Sequence, residues 1–394
     1  MYPSVDENTG LPRRQHKNNY RKMDGLSVEL PRLADEKVIA YLQHLGVPQV
    51  KADQVELPKP TFSLLCEMQK RHHDKIPFES VSVHLGKNVH YQDSDPIPYQ
   101  EGKGNIDVSP NALFNKIVTR GMGGYCFELN GLFAIVLRSL GYTITNHSAR
   151  VYAYQGKTPE DAGWSWSALS HQTTHVHFAE DEMSGENIIP EGWKAPSGGT
   201  GVTFHCDVGF GVGQPREPIL INTETASNHH IHERLPPFRE ADGVPAGYTL
   251  YHKLYDNESS KLAGSSAFKL APMYHYTEQP QLPVDYLTSN WFSNTWHDSI
   301  FVKMMVATMP FGVERGDPLG TRGRHSFIYS HHEALGARKE GDRQVAIYRR
   351  KGLDGKNTVI NEERTVATFG EFKKLMWEVF GINTNRITSK DAFP

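Results

Sequence analysis

Residues 121–130 read GMGGYCFELN. Three glycines stand upstream of a cysteine, and the apolar run GLFAIVLRSL follows at 131–140. Leu129, Leu132, Phe133, Val136, Leu137 and Leu140 recur at helical spacing and make one apolar face, which Gly141 closes. Extending that face back three residues puts Cys126 in the first turn, pointing inward. The glycines before it permit a tight turn and close approach of other atoms. A first helical turn carries unpaired N–H groups and a positive partial charge. Both favour a thiolate, so a lowered pKa is expected for Cys126. The same N–H groups can hold a developing oxyanion. Position alone leaves open the plainer reading, a small buried core side chain.

Upstream of this helix the chain reads as helical. Val38, Ile39, Leu42 and Leu45 predict a helix over 35–46, stopped by Gly46 and Pro48. Leu64, Leu65 and Met68 predict another over 61–73, with Thr61 as cap and Pro77 as terminator. A third is expected at 109–119, with Pro110 in its first turn. Past Gly141 the texture changes. Short β-branched or aromatic runs at 142–155, 172–180, 202–210, 265–272, 325–330 and 344–351 read as strands. Residues 156–171 and 190–201 read as loops, and 212–250 as a long irregular stretch. Thr365 or Thr368 can cap a last helix ending at Gly381. Helices first, then strands, then strands with a terminal helix argue an α+β fold.

Composition narrows the function. The chain has 394 residues, 42 Lys and Arg against 45 Asp and Glu, and a formal net charge of -3. No nucleic-acid footprint stands out. The basic stretch RRQHKNNYRK at 13–22 belongs to a polar tail read as disordered. Cys66, Cys126 and Cys206 form no disulfide framework. No apolar signal core and no 18-residue apolar run is present, so a cytoplasmic protein away from membranes is expected.

A cysteine nucleophile needs a base, and the base needs an orienting group. In HQTTHVHF (171–178), His175 and His177 share one strand face. In FHCDVGFG (204–211), Asp207 stands among apolar residues, so its carboxylate needs a partner such as an imidazole N–H. The alternatives are solvated strand histidines and a structural aspartate at a turn. His171, His175 and His177 could also bind a metal with Cys206 or His205, a weaker pattern.

Four stretches in order, IPFESVSV (76–83), GGYCFELN (123–130), TTHVHF (173–178) and CDVGFG (206–211), resemble the arylamine N-acetyltransferases. YLQHLGV (41–47), SNWFSNTWHDSIF (289–301) and FGI (380–382) agree, so the resemblance spans roughly 35–385. It implies a helical bundle at 31–145 after a tail at 1–30, a central β-barrel at 146–288 and an α/β lid at 289–394. It implies a cysteine-protease-like triad of Cys126, His175 and Asp207, His175 being chosen because Thr174 precedes it. Phe78, Phe127 and Phe210 match positions in or near the amine pocket. Coenzyme A is expected near Gly209, Gly211 and Ser299. Tyr125, Glu79 and Asn130 match supporting positions, and no metal is expected.

The implied reaction moves an acyl group from acyl-CoA to an aromatic amine or hydrazine through a Cys126 acyl-enzyme, with detoxification as the role. Acetyl-CoA is the default donor; malonyl- and propionyl-CoA stay open. The polar tail and insertions suggest a eukaryotic, fungal member. A Cys–His–Asp hydrolase or transglutaminase-like enzyme, or a non-catalytic binding protein, are the other readings. The chain departs from the family at His44 and Met122, where arginines usually surround the glutamate matched by Glu79. Arg120, His44 or backbone N–H groups are expected to satisfy Glu79 instead. Ser80 replaces a family asparagine, and a family proline is missing around His297 to Phe301.

Overall fold

The computed structural model describes residues 30–51, 53–85, 91–99, 106–179, 201–211, 213–221, 230–235, 245, 247–255, 267–312, 323–353 and 358–384. The tail expected at 1–30 and parts of the expected insertions lie outside these residues.

Helices α1 (Asp35–Leu45), α2 (Phe62–Lys75) and α5 (Cys126–Leu140) fall where their apolar spacing puts them. Gly46 and Gly141 close α1 and α5 in the left-handed conformation. The Thr61 hydroxyl accepts from Leu64 N–H at the start of α2. Between α2 and α5 lie the strand β1 (Phe78–Glu79), the short helices α3 (Val81–His84) and α4 (Pro110–Phe114), and a π-helical turn at Asn115–Thr119. The helix expected over 109–119 is therefore split. Its wide second half brings Lys116 into the interior, which is 4% exposed.

Two sheets follow. The first has seven strands in the order β5-β4-β3-β2-β8-β7-β6. They are β2 (Thr143–Tyr152), β3 (Trp166–Ala179), β4 (Gly201–Cys206), β5 (Ile219–Leu220), β6 (His230–Leu235), β7 (Gly247–Leu254) and β8 (Lys269–Tyr276). Strand β3 begins at Trp166, inside the stretch read as a loop, so His171 lies within the sheet. The second sheet joins β1 to β9 (Met304–Phe311), β10 (Gly323–Ser330), β11 (Arg338–Glu340), β12 (Arg343–Leu353) and β13 (Val359–Val366).

The short helix α6 (Pro159–Ala162) lies between β2 and β3, and helix α7 (Pro283–Thr295) lies between the two sheets in sequence and spans the boundary expected at 288/289. The last helix, α9 (Phe369–Phe380), is capped by Thr368 and closed by Gly381, as its sequence predicts. A large core packs α1, α2 and α5 against Val176, Phe178, Val202 and Phe204 of β3 and β4. A second packs Ala307, Phe327 and Tyr348 against Phe372 and Met376 of α9. The start of α5 lies where these parts meet.

Candidate active site

The turn before Cys126 is shaped by two buried carboxylates. A Cβ at Gly123 would lie 2.0 Å from the Pro77 carbonyl oxygen, and one at Gly124 2.7 Å from Glu128 Cβ. Only glycine fits either place. Glu79 N–H donates to Gly124 O at 2.9 Å, which ties β1 to the turn. Lys116 Nζ lies 2.6 Å from Glu128 Oε1 and 3.1 Å from Glu79 Oε1. The other oxygens accept backbone N–H groups, Glu128 from Tyr125 at 3.1 Å and Glu79 from Val81 at 2.5 Å.

The expected backbone donor to Glu79 is therefore present, but its cation is Lys116 rather than Arg120 or His44. Those two line a surface cavity of about 350 Å³ with Lys75, Met122 and Trp377. Burial alone would lower the Lys116 pKa, yet the paired carboxylates hold it above its ordinary value. Sequence reasoning missed Lys116 because its inward path depends on the π-turn.

Cys126 is buried at the N-terminus of α5, and its Sγ donates to the Ser170 carbonyl at 3.4 Å. The expectation of a lowered pKa is not met. Burial pushes the thiol well above its ordinary value and Asp207 adds to this, while the Phe127 N–H offsets only part. At this helix terminus desolvation outweighs the favourable N–H groups.

The residue after Ser170 is a histidine. His171 Nε2 lies 2.8 Å from Asp207 Oδ2, with both residues buried. The other Asp207 oxygen accepts from Asn130 Nδ2 at 2.9 Å and from Gly209 N–H at 2.8 Å. Burial would raise this carboxyl, but His171, Asn130 and Gly209 outweigh it and hold the pKa at about 2. Asn130 stands one helical turn beyond Cys126. It also donates to Gln172 O at 2.6 Å and accepts from Val208 N–H at 2.8 Å. One amide thus joins the Cys126 helix, the histidine strand and the aspartate loop.

His175 is not the partner of Asp207. It lies four positions beyond His171 on β3, about 13 Å at the usual strand rise. It packs instead against His147, His205 and Tyr276, with ring centroids at 4.0, 5.5 and 5.1 Å. His177 meets the hydroxyls of Thr145 and Thr203 at 2.8 and 3.0 Å. Among the described residues no group of three or more His, Cys, Asp or Glu side chains is placed to hold a metal ion.

The remaining expected residues fall around this centre. The Phe210 ring meets the His171 ring edge-on at 5.3 Å, and Phe78 packs 6.0 Å from Phe301. Phe127 is buried between Tyr125 and Tyr286. The Tyr125 hydroxyl donates to the Asn290 side chain and its N–H to Glu128, so neither is left for an oxyanion. The Ser299 hydroxyl donates to Ser293 O and caps the short helix α8 (Ile300–Lys303). A Cβ on Gly209 would fall 2.8 Å from Asn130 Nδ2 and 3.0 Å from Cys126 Cα. Gly211, at φ 85°, would meet the Phe78 ring in the same way.

A family model described as N-acetyltransferase matches residues 61–182 and 199–315, more than half the chain. The chain belongs to the arylamine N-acetyltransferase family. With the family comes the coarse activity, an acyl-CoA-dependent acyltransferase. An arylamine N-acetyltransferase of Mycobacterium bovis is 29% identical over 250 residues, covering 64% of this chain and 68% of its own. The N-malonyltransferase FDB2 of Fusarium pseudograminearum is 25% identical over 295 residues, 71% and 75% of the two chains. That similarity is in keeping with the fungal membership expected above. The solved arylamine N-acetyltransferase of M. tuberculosis superposes with a TM-score of 0.54 at 22% identity, over 90% of this chain and 96% of its own. A Mycobacterium marinum enzyme solved in complex with CoA gives 0.54 at 20%, over 89% and 94%. These structures share the mixed helix and sheet fold.

Proposed function

We propose that the protein transfers an acyl group from a coenzyme A thioester to an aromatic amine or hydrazine, through a thioester on Cys126. The observation that carries this reading is the 2.8 Å contact between Asp207 and His171, next to the residue whose carbonyl holds the Cys126 sulfur. His171 Nε2–H is committed to Asp207, which leaves Nδ1 as the basic nitrogen.

In the first half-reaction the Cys126 thiol gives its proton to His171 as the sulfur attacks the thioester carbonyl. Backbone N–H groups at the start of α5 stabilise the tetrahedral oxyanion. Collapse expels coenzyme A thiolate, which takes the proton back from His171. In the second, the amine attacks the Cys126 thioester and loses its proton to His171. Cys126 leaves as thiolate and takes that proton back from His171, and the amide departs. Asp207 holds the imidazole orientation and offsets its transient charge. Acid–base help of this kind contributes about 10²–10⁴-fold.

Phe78 and Phe210 suit one wall of a flat acceptor site. The chain works as three parts, up to about residue 145, from there to helix α7, and from α7 onward, with disposal of aromatic amines as the role. The Fusarium relative named as an N-malonyltransferase supports malonyl-CoA beside acetyl-CoA as donor.

Intact-protein mass after separate mixing with acetyl-, propionyl- and malonyl-CoA tests the reading, with Cys126→Ala as control. A single adduct that needs Cys126 and disappears on adding an arylamine is expected. No adduct with any donor on folded protein shifts the weight to a Cys–His–Asp hydrolase.

A further inference from the structure

Arg324 lies on the face of the second sheet that turns toward the nucleophile. The register sets it across from Pro310 of β9 and Lys351 of β12. It therefore shares a face with Thr308 and Ser326 and, through the β1–β9 pair, with Phe78. The Phe78 ring lies 6.0 Å from Phe301, which lies 5.2 Å from Tyr125, the residue before Cys126. The guanidinium reaches the aspartate loop directly. Nη1 donates to the carbonyl of Gly211, four residues after Asp207, and to the Thr308 hydroxyl at 3.2 Å.

Both acceptors are neutral. Asp74 of the neighbouring α2 is already held by Arg216, at 3.0 and 2.6 Å. Among the described residues no carboxylate pairs with Arg324, and none pairs with Lys351 across from it. Like charges directly opposite on a sheet repel. Burial also pulls the Arg324 pKa below its ordinary value, the mark of a cation short of compensation. Nη1 is the only nitrogen with acceptors among the described residues, so the guanidinium retains donors for a planar, bidentate anion.

We propose that Arg324 forms a subsite for a carboxylate carried on the acyl group. The protein then takes donors with an acidic acyl chain, of the malonyl class, in preference to acetyl. This rests on Cys126 being the acylated thiol. An anionic acyl group bound to Cys126 would supply the charge that the sheet face lacks, and its carboxylate would be recognised without any help from the nucleotide end of the donor.

The test is single-turnover acylation of Cys126, followed by intact mass. It compares acetyl- with malonyl-CoA, and the N-acetylcysteamine thioesters of the same two acyl groups, which carry no phosphates. The wild type should favour malonyl in both series. Arg324→Met should lower the malonyl-to-acetyl rate ratio about 10- to 100-fold in both, and Arg324→Lys should fall between. An unchanged ratio, with both donors slowed alike, overturns the subsite and leaves Arg324 as a strap on the Asp207 loop. A loss confined to the coenzyme A thioesters also overturns it, in favour of a phosphate contact. Wild-type preference for acetyl refutes the subsite alone. No acylation of wild type by any donor refutes the transferase reading itself.

Discussion

Asn130 ties Asp207 to helix α5 through a 2.9 Å hydrogen bond, while its carbonyl takes the Val208 N–H at 2.8 Å. Removing this amide frees the aspartate loop from α5 without touching Cys126 or His171. Asn130→Ala should cost about 2–3 kcal/mol of stability, because buried polar groups lose their partners. Acylation of Cys126 should slow about 10- to 100-fold, since misplacement by an ångström is costly at a reacting centre. Rapid-mixing mass spectrometry with chemical denaturation separates the two effects.

Lys116 stands between two buried carboxylates. Lys116→Met leaves Glu79 and Glu128 without a cation and should destabilise by about 3–5 kcal/mol at neutral pH. Lys116→Arg should recover most of this. Burial already raises the Glu128 pKa, against the pull of Lys116, and losing the lysine raises it further. A carboxyl with a raised folded-state pKa favours folding below its unfolded value, and that contribution is lost as pH rises. The deficit of Lys116→Met should therefore shrink between pH 7 and 5, measured as Tm against wild type.

Buried histidines set the first acid transition. Burial holds His147 at about 4 and His72 at about 3, and lowers His177. Each is neutral when folded and charged when unfolded below its ordinary value of 6.5. Stability is therefore full above pH 6.5 and falls as pH drops toward 4, by at most about 1.4 kcal/mol per pH unit for each histidine. Asp207 acts later. Its folded pKa of about 2 lies below the ordinary 3.8, so its contribution is lost between about pH 4 and 2. His147→Asn should flatten the first limb of the Tm–pH curve and leave the second. An unaltered first limb would remove His147 from the account.

Gly209 touches Cys126. A methyl group there would lie 3.0 Å from Cys126 Cα and 3.1 Å from its carbonyl oxygen, both backbone atoms that cannot swing aside. Gly209→Ala should move the Asp207 loop off α5 and reduce kcat about tenfold or more, with the chain still folded by circular dichroism. Full activity would show that the loop has slack.

The parts legible in the sequence are those whose apolar spacing faces the core. The α5 helix, with Leu129, Phe133 and Val136 inside, is one; the Thr368-capped last helix is another. The helix Pro283–Thr295 hides because its pattern is inverted. Asn290, Ser293 and Asn294 are buried while Leu287 and Trp291 are exposed, so apolar periodicity misleads. Strand β13 is charged and mostly exposed, and holds to β12 through pairs such as Arg349–Glu363 at 2.6 Å. At the site, Cys126 and Asp207 stand out between glycines and apolar residues. His171 does not, because choosing it requires knowing that β3 starts at Trp166. Lys116 needs the π-turn.

The central claim is that His171, not His175, serves Cys126. The direct measurement is the rate of Cys126 acylation by acyl-CoA in His171→Gln and His175→Gln, both checked for folding. The account predicts that His171→Gln slows acylation about 10²–10⁴-fold, while His175→Gln stays within a few-fold of wild type. The reverse pattern, with His175→Gln silent and His171→Gln active, would contradict it.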